Sequence, residues 1–275
     1  MAIGGQVTMS QSTVLLEKND GIATVTLNAP QRLNALSFQM LDELNRVLDD
    51  CTADPELRAL VLTGTGRGFC AGADLSQGST PSETGDERKK RLGRIMKESF
   101  NPAIKKLINL PFPTVAAVNG VAAGGGYGIA LACDLVLAAK SARFVLVFTP
   151  QLGLIPDLGA SWHAPRALGR ARAIATAFFG DRMSATDAEE AGLIWRCVPD
   201  DELMTEVSRV VEKLKRGPTK AYPAVRRAFD AASTQTLPEQ LDLEAQEQPA
   251  LLATEDFTEG VRAFMQKREP EFKGR

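Results

Sequence analysis

A single carboxylate, Asp157, lies in a segment whose other residues suit burial. The segment LGLIPDLGASW, from Leu152 to Trp162, contains no other ionisable side chain. Apolar neighbours such as Ile155 and Leu158 should exclude water from the carboxylate, which raises its pKa and makes it a stronger base. An aspartate here could instead cap the helix that follows. The segment therefore predicts either a proton-transferring base or a helix cap.

Two glycine-rich stretches could bind a negatively charged oxygen. FCAGADL places small residues 71–73 after a predicted strand, where a ligand carbonyl can approach a backbone N–H. NGVAAGGGYG brings glycines 124–126 to the start of a predicted helix, whose unpaired N–H groups favour developing negative charge. Taken alone, the first stretch could be a tight turn with Asp74 capping the next segment. The second could be a place where a helix packs closely on its strand. Together they could donate two N–H bonds to one oxyanion, each worth roughly 3 kcal/mol of barrier.

The elements that must position these residues alternate between strand and helix. TVLLEKND and GIATVTLN predict a hairpin turning at residues 19–21, and Ser37 predicts the N-cap of a helix to about Cys51. RALVLTG, TVAAVNG, DLVLAA, ARFVLVF and WRCVP are predicted strands. Because apolar strands without alternation are covered on both faces, the predicted fold class is α/β.

Helices and one polar segment connect these strands. Residues 79–91 are polar and rich in turn formers, which predicts a mobile lid or loop, and a helix is expected at about 87–110. From residue 200 onward the pattern is helical, with predicted breaks at residues 217–218, Pro238 and Pro249.

Charge and hydropathy exclude several classes of partner. There are 32 Lys and Arg against 34 Asp and Glu, a formal charge of −2, so no basic excess favours nucleic acid or an anionic membrane. The longest apolar run, at about 115–123, is too short to span a bilayer, and the N-terminal residues do not resemble a signal peptide. We expect a cytoplasmic protein with no membrane partner.

Metal and nucleotide motifs are not found in the sequence. Four cysteines are widely spaced without a CxxC pair, and His163 is the only histidine, so we expect no metal site and a reducing compartment. Neither glycine cluster forms GxGxxG, and no GxxxxGK[ST] is present. His163 itself is interpreted as a packing residue.

FCAGADL, AAVNGVAAGGGYGIALACDLVLAA and LGLIPDLGAS, in this order, resemble the crotonase superfamily, also called the enoyl-CoA hydratase/isomerase family. The resemblance implies a spiral of ββα units with a helical C-terminal region and an acyl-CoA thioester substrate. It implies no separate cofactor, because the substrate carries coenzyme A, and a homotrimer or hexamer. We expect a disordered N-terminus at 1–12, an acyl-CoA-binding core at 13–200 and a helical oligomerisation region at 201–275.

By position, the resemblance assigns the oxyanion-binding N–H groups to Ala73 and Gly125. It places the two glutamates of the family's hydratases at positions held here by Gly128 and Thr149, which disfavours standard hydration. Asp157 lies where other branches place a catalytic aspartate, and the closest resemblance is to the branch that isomerises ring-1,2-epoxyphenylacetyl-CoA. We therefore expect Asp157 to be the acid/base.

The resemblance also suggests which residues surround the substrate. Arg32 is expected to meet a CoA phosphate, and Asp74 to brace the oxyanion loop. The full set of expected substrate-binding residues is Arg32, Ala35, Ala71, Asp74, Leu75, Gly124 and Thr149.

Alternatives to isomerisation remain open. Asp157 also occupies the position of the nucleophile in 4-chlorobenzoyl-CoA dehalogenase, but the helix before TVAAVNG lacks that branch's histidine, so dehalogenation is disfavoured. A hydratase-like lyase with atypical acid/base groups is one alternative. The other is a non-catalytic acyl-CoA-binding subunit that has kept the fold and lost the chemistry.

Overall fold

The computed structural model describes residues 12–77 and 83–275. The predicted disordered N-terminus therefore lies outside the described residues, apart from residue 12, and so does the 79–82 part of the predicted lid. Within the described part, the chain forms two sheets surrounded by helices, as an α/β fold requires.

A six-stranded sheet forms the centre of the fold. The predicted hairpin is present: β1 and β2 are antiparallel and joined at Asp20 and Gly21, which both adopt positive φ. The other strands run parallel to β2, and all five residues of β5 are buried. The strands, in their spatial order, are β1 (Val14–Asn19), β2 (Ile22–Leu27), β3 (Ala59–Gly64), β5 (Thr114–Val118), β7 (Leu135–Ala139) and β10 (Arg196–Val198).

A second, four-stranded sheet carries the glycine-rich segments. It contains β4 (Gly68–Cys70), β6 (Val121–Ala123), β8 (Arg143–Val145) and β9 (Met183–Ser184), in that order. β4, β6 and β8 are parallel, so their carboxyl ends lie at one edge of the sheet. ARFVLVF was predicted as one strand, but the strand ends at Val145 and a π-helical turn begins at Phe148.

Helices cover both sheets, and several begin at a side-chain cap. Ser37 caps the first helix as predicted, accepting a hydrogen bond from the Met40 N–H. In residues 38–77 and 83–190 the helices are α1 (Phe38–Thr52), α2 (Gly85–Ile95), α3 (Asn101–Ile108), α4 (Gly125–Leu131), α5 (Ala160–Leu168), α6 (Arg170–Phe179) and α7 (Ala185–Glu190). The helix expected at about 87–110 is thus two helices joined by a π-helical turn, Met96–Phe100.

The C-terminal part is helical, as expected. Its helices are α8 (Leu203–Lys215), α9 (Ala221–Ala232), α10 (Leu237–Leu252) and α11 (Glu255–Gln266). The helical structure is interrupted at residues 217–218, and Pro238 lies in the first turn of α10. The predicted break at Pro249 is wrong because Pro249 lies inside α10. Pro249 lacks an N–H donor, yet its carbonyl still accepts the Ala253 N–H at 3.3 Å, so the last turn persists.

An ion pair joins α9 to the central sheet. Arg226 on α9 binds both oxygens of Asp134, at 2.5 and 2.6 Å, and also donates to the carbonyls that end α3 and precede β5, those of Ile108, Leu110 and Phe112. Asp134 in turn accepts from the Thr114 N–H. In the described residues, no helix is both long and apolar enough to cross a membrane.

Candidate active site

The two glycine-rich segments meet at the carboxyl ends of β4 and β6. Because these strands are paired and parallel, the residues that follow them are neighbours. Gly72 adopts φ +91°, and a Cβ at this position would lie 2.9 Å from the Ala123 oxygen and 3.1 Å from the Gly125 nitrogen. Only glycine allows this approach, which brings residues 71–73 against the start of α4.

The N–H groups of Ala73 and Gly125 are both available to a ligand. Leu36 donates to the Gly72 oxygen and accepts from the Asp74 N–H, so the Ala73 N–H between them is directed away from Leu36. Gly125 is the first residue of α4, where an N–H has no partner within the helix. In residues 12–77 and 83–275 neither group has a protein acceptor, so each can donate to a ligand.

A buried asparagine that the sequence analysis did not single out holds the loop before this site. The Asn34 side chain is fully buried, and its backbone and that of Leu33 are left-handed. Its oxygen accepts from the Ala29 N–H, and its nitrogen donates to three carbonyls, those of Thr65, Gly68 and Phe69. The sequence gives no sign of this role, because the four partners come from two separate segments.

Arg32 and Asp74 bind each other beside the oxyanion loop. Arg32 Nη1 lies 2.6 Å from Asp74 Oδ2, and the other Asp74 oxygen accepts from the Ser76 backbone and hydroxyl. Ser76 and Arg32 together hold the pKa of Asp74 below its ordinary value. The Arg32 side chain remains 55% exposed, so its other donors can still reach a ligand phosphate.

The other expected substrate-binding residues lie around the same loop. The Ala71 N–H donates to the Leu33 carbonyl, the Ala35 N–H donates to the Arg32 carbonyl, and Leu75 is exposed. The Gly124 N–H donates to the Val145 carbonyl, which fixes the entry to α4. These contacts order the loop, while Leu75 presents an apolar side chain to solvent.

Asp157 lies on a tight turn rather than at a helix cap. The turn is closed by a 2.9 Å hydrogen bond from the Ala160 N–H to the Asp157 carbonyl, and α5 begins after Gly159 with no side-chain cap. The structural alternative of a cap through the Asp157 side chain is therefore wrong. The carboxylate is half-buried, and burial raises its pKa to about 6. In the described parts of the chain, no basic side chain pairs with it.

The turn packs directly on α4. Leu158 adopts φ +50°, a conformation that costs a leucine roughly 1 to 2 kcal/mol, and it is only 3% exposed. Its Cδ1 lies 2.5 Å from where a Cβ on Gly125 would be. Asp157 is thus attached, through Leu158, to the residue that offers one of the two N–H groups.

Thr149 and Gly128 occupy the positions where the resemblance places hydratase glutamates. The Thr149 hydroxyl donates to the Leu154 carbonyl at 2.9 Å, closing the loop that leads to Asp157. Gly128 faces the Leu158 carbonyl, and any Cβ there would overlap that oxygen. Neither position supplies a carboxylate.

Two further features bear on the chemistry. His163 is half-buried against Trp162, and burial lowers its pKa to about 4, so it is neutral at pH 7 as expected of a packing residue. No group of three or more potential metal-binding side chains occurs among the described residues. The assembled groups are two N–H donors and one basic carboxylate, which suit proton transfer beside a polarised carbonyl.

Known proteins resemble this chain over almost its whole length. Residues 17–275 match the family described as enoyl-CoA hydratase/isomerase. The chain is 42% identical to a Rhodobacter capsulatus protein described as "Probable enoyl-CoA hydratase", over 97% of the chain and 100% of the relative. It is also 42% identical to the 1,2-epoxyphenylacetyl-CoA isomerase of Escherichia coli, over 95% and 98% of the two chains.

Solved structures show the same fold. The enoyl-CoA hydratase of Bacillus anthracis superposes with a TM-score of 0.86 at 30% identity, covering 96% of this chain and 100% of the other. That of Mycobacterium smegmatis gives a TM-score of 0.85 at 29% identity, covering 95% and 99%. The predicted crotonase-type fold is confirmed, and this chain belongs to the enoyl-CoA hydratase/isomerase family.

Proposed function

We propose that this enzyme is an acyl-CoA isomerase in which Ala73 and Gly125 bind the thioester oxygen and Asp157 moves a proton. The observation that carries the proposal is Asp157 itself: a half-buried carboxylate with a raised pKa, on a turn packed against Gly125. A base of this strength is suited to removing a proton next to a thioester at neutral pH.

The proposed reaction needs only one base. Two N–H donors polarise the thioester carbonyl, so the carboxylate can take a proton from C2 of a 3-enoyl thioester. The C–H electron pair then forms a dienolate whose negative charge rests on the thioester oxygen. The protonated Asp157 returns the proton to C4, and the double bond moves from C3–C4 to C2–C3.

Opening of a ring epoxide next to the thioester is a second form of the same proposal. The 42% identity to the Escherichia coli 1,2-epoxyphenylacetyl-CoA isomerase supports it, because that relative carries this activity in its name. Phenylacetate breakdown would then be the physiological setting. The oxyanion-binding N–H groups and Asp157 would serve both reactions.

Hydration is the competing function, favoured by the name of the Rhodobacter capsulatus relative. Addition of water to a 2-enoyl thioester normally uses an acid and a base, and positions 128 and 149 hold glycine and threonine. Hydration of crotonyl-CoA at rates comparable to isomerisation would require a second proton-transferring group and would contradict the isomerase proposal.

The decisive experiment compares Asp157→Asn with the unmodified enzyme, using trans-3-hexenoyl-CoA as the probe. Formation of the trans-2 isomer, and deuterium uptake from D₂O by mass spectrometry, should fall roughly 10²-fold or more. Binding of the thioester should stay near wild type. Asp50→Asn, on an exposed turn of α1, is the matched control. Full turnover in Asp157→Asn would overturn the proposal.

Ligand binding separates an enzyme from a non-catalytic acyl-CoA binder. An enzyme and a non-catalytic binder should each show a higher melting temperature with saturating hexenoyl-CoA, because a ligand that binds the folded state stabilises it. Only the enzyme should exchange substrate protons with D₂O. Binding without exchange would support the subunit alternative, and no thermal shift would contradict both.

A further inference from the structure

A strained leucine follows the proposed base. Leu158 and Gly159 adopt φ +50° and +84°, and the Ala160 N–H bonds to the Asp157 carbonyl, so residues 157–160 form a type I′ turn. Such turns favour glycine or asparagine at the first central position. A leucine there is unfavourable for the turn alone, so contacts outside the turn must stabilise this conformation.

Two contacts of Leu158 are on α4. The Leu158 side chain packs on Gly125, where Cδ1 lies 2.5 Å from the Cβ position. The Leu158 carbonyl covers Gly128, where it fills the space that a Cβ would need. Positions 125 and 128 are three residues apart and therefore share one face of the helix. The turn is fixed to α4 at two points.

We propose that Leu158 is a positioning residue that holds the Asp157 carboxylate at a set distance from the Gly125 N–H. Gly128 makes this possible, because its lack of a side chain leaves room for the Leu158 carbonyl. This proposal rests on the proposed function of Asp157. Burial raises the pKa of Asp157, so a turn that moved away from α4 would also expose the carboxylate to water. The turn therefore controls both the place of the base and its hydration.

A consequence concerns the reaction type. A side chain at position 128 and the Leu158 turn in its present place exclude each other, because the Cβ and the Leu158 carbonyl would overlap. A carboxylate at 128 would require the turn to move, and Asp157 with it. The backbone conformation thus restricts the site to one carboxylate. Gly128→Glu alone is therefore not expected to produce a hydratase.

The test uses two variants that release the turn in opposite ways. Gly128→Ala pushes the Leu158 carbonyl away from α4, whereas Leu158→Gly keeps the left-handed turn but removes the side-chain contact. Leu158→Met, of similar volume and also apolar, is the conservative variant. Gly93→Ala is the matched control, since nothing lies within 4 Å of a Cβ at that position on α2.

With trans-3-hexenoyl-CoA, we expect kcat to fall at least tenfold in Gly128→Ala and Leu158→Gly, with KM changing less than threefold. The inflection in the pH profile of kcat/KM should move from about 6 toward the value near 4 of a hydrated aspartate. Leu158→Met should keep kcat within about threefold of wild type, and Gly93→Ala should match wild type.

The outcomes separate this inference from the proposed function. If Asp157→Asn abolishes isomerisation while both turn variants keep the wild-type kcat and pH inflection, the role of Asp157 as the base is supported and the positioning role of Leu158 is overturned. If Asp157→Asn retains turnover, the proposed function itself fails. Should Gly128→Ala not fold, Leu158→Gly still decides, because it adds no atoms to the core.

Discussion

At the scale of single residues, the pKa of Asp157 determines how activity should depend on pH. Burial raises this pKa to about 6, and only the ionised carboxylate can accept a proton from the substrate. We expect kcat/KM for isomerisation to be constant above about pH 7 and to fall tenfold per pH unit well below 6. A profile with its inflection near 4 would show that the carboxylate is hydrated in the free enzyme.

The same shift predicts a stability effect with a definite sign. The folded-state pKa of about 6 exceeds the unfolded value near 3.8, so folding is favoured by protonated Asp157 below pH 3.8 and loses this contribution as pH rises through 6. Each pH unit between the two values is worth about 1.4 kcal/mol, giving a penalty of up to about 3 kcal/mol at pH 8.

Asp157→Asn removes that penalty, because an amide is neutral at every pH. We expect the variant to exceed wild type in free energy of unfolding by up to about 3 kcal/mol at pH 8, and by less than about 1 kcal/mol at pH 4. Urea unfolding at the two pH values measures the difference, with Asp50→Asn as control. A variant less stable than wild type at pH 8 would contradict the buried, unpaired state of this carboxylate.

At the scale of elements, Arg226 illustrates how one side chain joins α9 to the central sheet. Its guanidinium binds Asp134 in a bidentate pair and also donates to three backbone carbonyls. Both side chains are largely buried. Arg226→Ala leaves a carboxylate and three carbonyls without this donor, so we expect a loss of roughly 3 to 5 kcal/mol in the free energy of unfolding.

The neighbouring Arg227 supplies a matched control. It also forms a bidentate pair, with Glu247 on α10, but its side chain is 54% exposed. An exposed pair contributes less than about 1 kcal/mol, so Arg227→Ala should change stability little. Urea unfolding measures both variants. Equal losses in their free energy of unfolding would contradict the interpretation that burial and the carbonyl contacts make Arg226 important for stability.

The elements that the sequence predicted well are those with local signals. The hairpin at residues 19–21 and the helix capped by Ser37 depend on a few adjacent residues, and both are present. The π-helical turns and the continuation of α10 through Pro249 were not predicted, since they depend on packing that overrides local preference. Local sequence signals alone therefore predict neither feature.

The site follows the same rule. The glycines were recognisable because they cluster after predicted strands, and Asp157 because it is the one ionisable side chain in the segment 152–162. Asn34 and Leu158 were not, because one acts through bonds to the Ala29 N–H and to carbonyls of the distant 65–69 segment, and the other through a left-handed backbone that leucine seldom adopts. Their roles exist only once the chain has folded.

At the scale of the whole molecule, the C-terminal helices combine firm anchoring with unusual exposure. The buried Asp256 carboxylate accepts N–H bonds from Lys273 and Gly274, and Arg58 donates to the Phe272 carbonyl, so the end of the chain is held on the core. Large apolar side chains on these helices are nevertheless open to solvent: Phe229 at 76%, Leu237 at 72%, Phe264 at 82% and Met265 at 77%. Apolar exposure of this kind on ordered helices indicates a surface that another protein covers.

We therefore expect copies of this chain to cover the exposed helices, as a homotrimer or hexamer. Burying Phe264 in such an interface favours assembly, so Phe264→Glu, which would place a charge there, should shift the protein to smaller species at micromolar concentration. Phe264→Leu keeps an apolar side chain and should retain the wild-type mass. Light scattering coupled to size exclusion measures both, and circular dichroism checks that the variants are folded. A wild-type protein that is monomeric at micromolar concentration would contradict assembly, and an unchanged mass in folded Phe264→Glu would place the interface on another face.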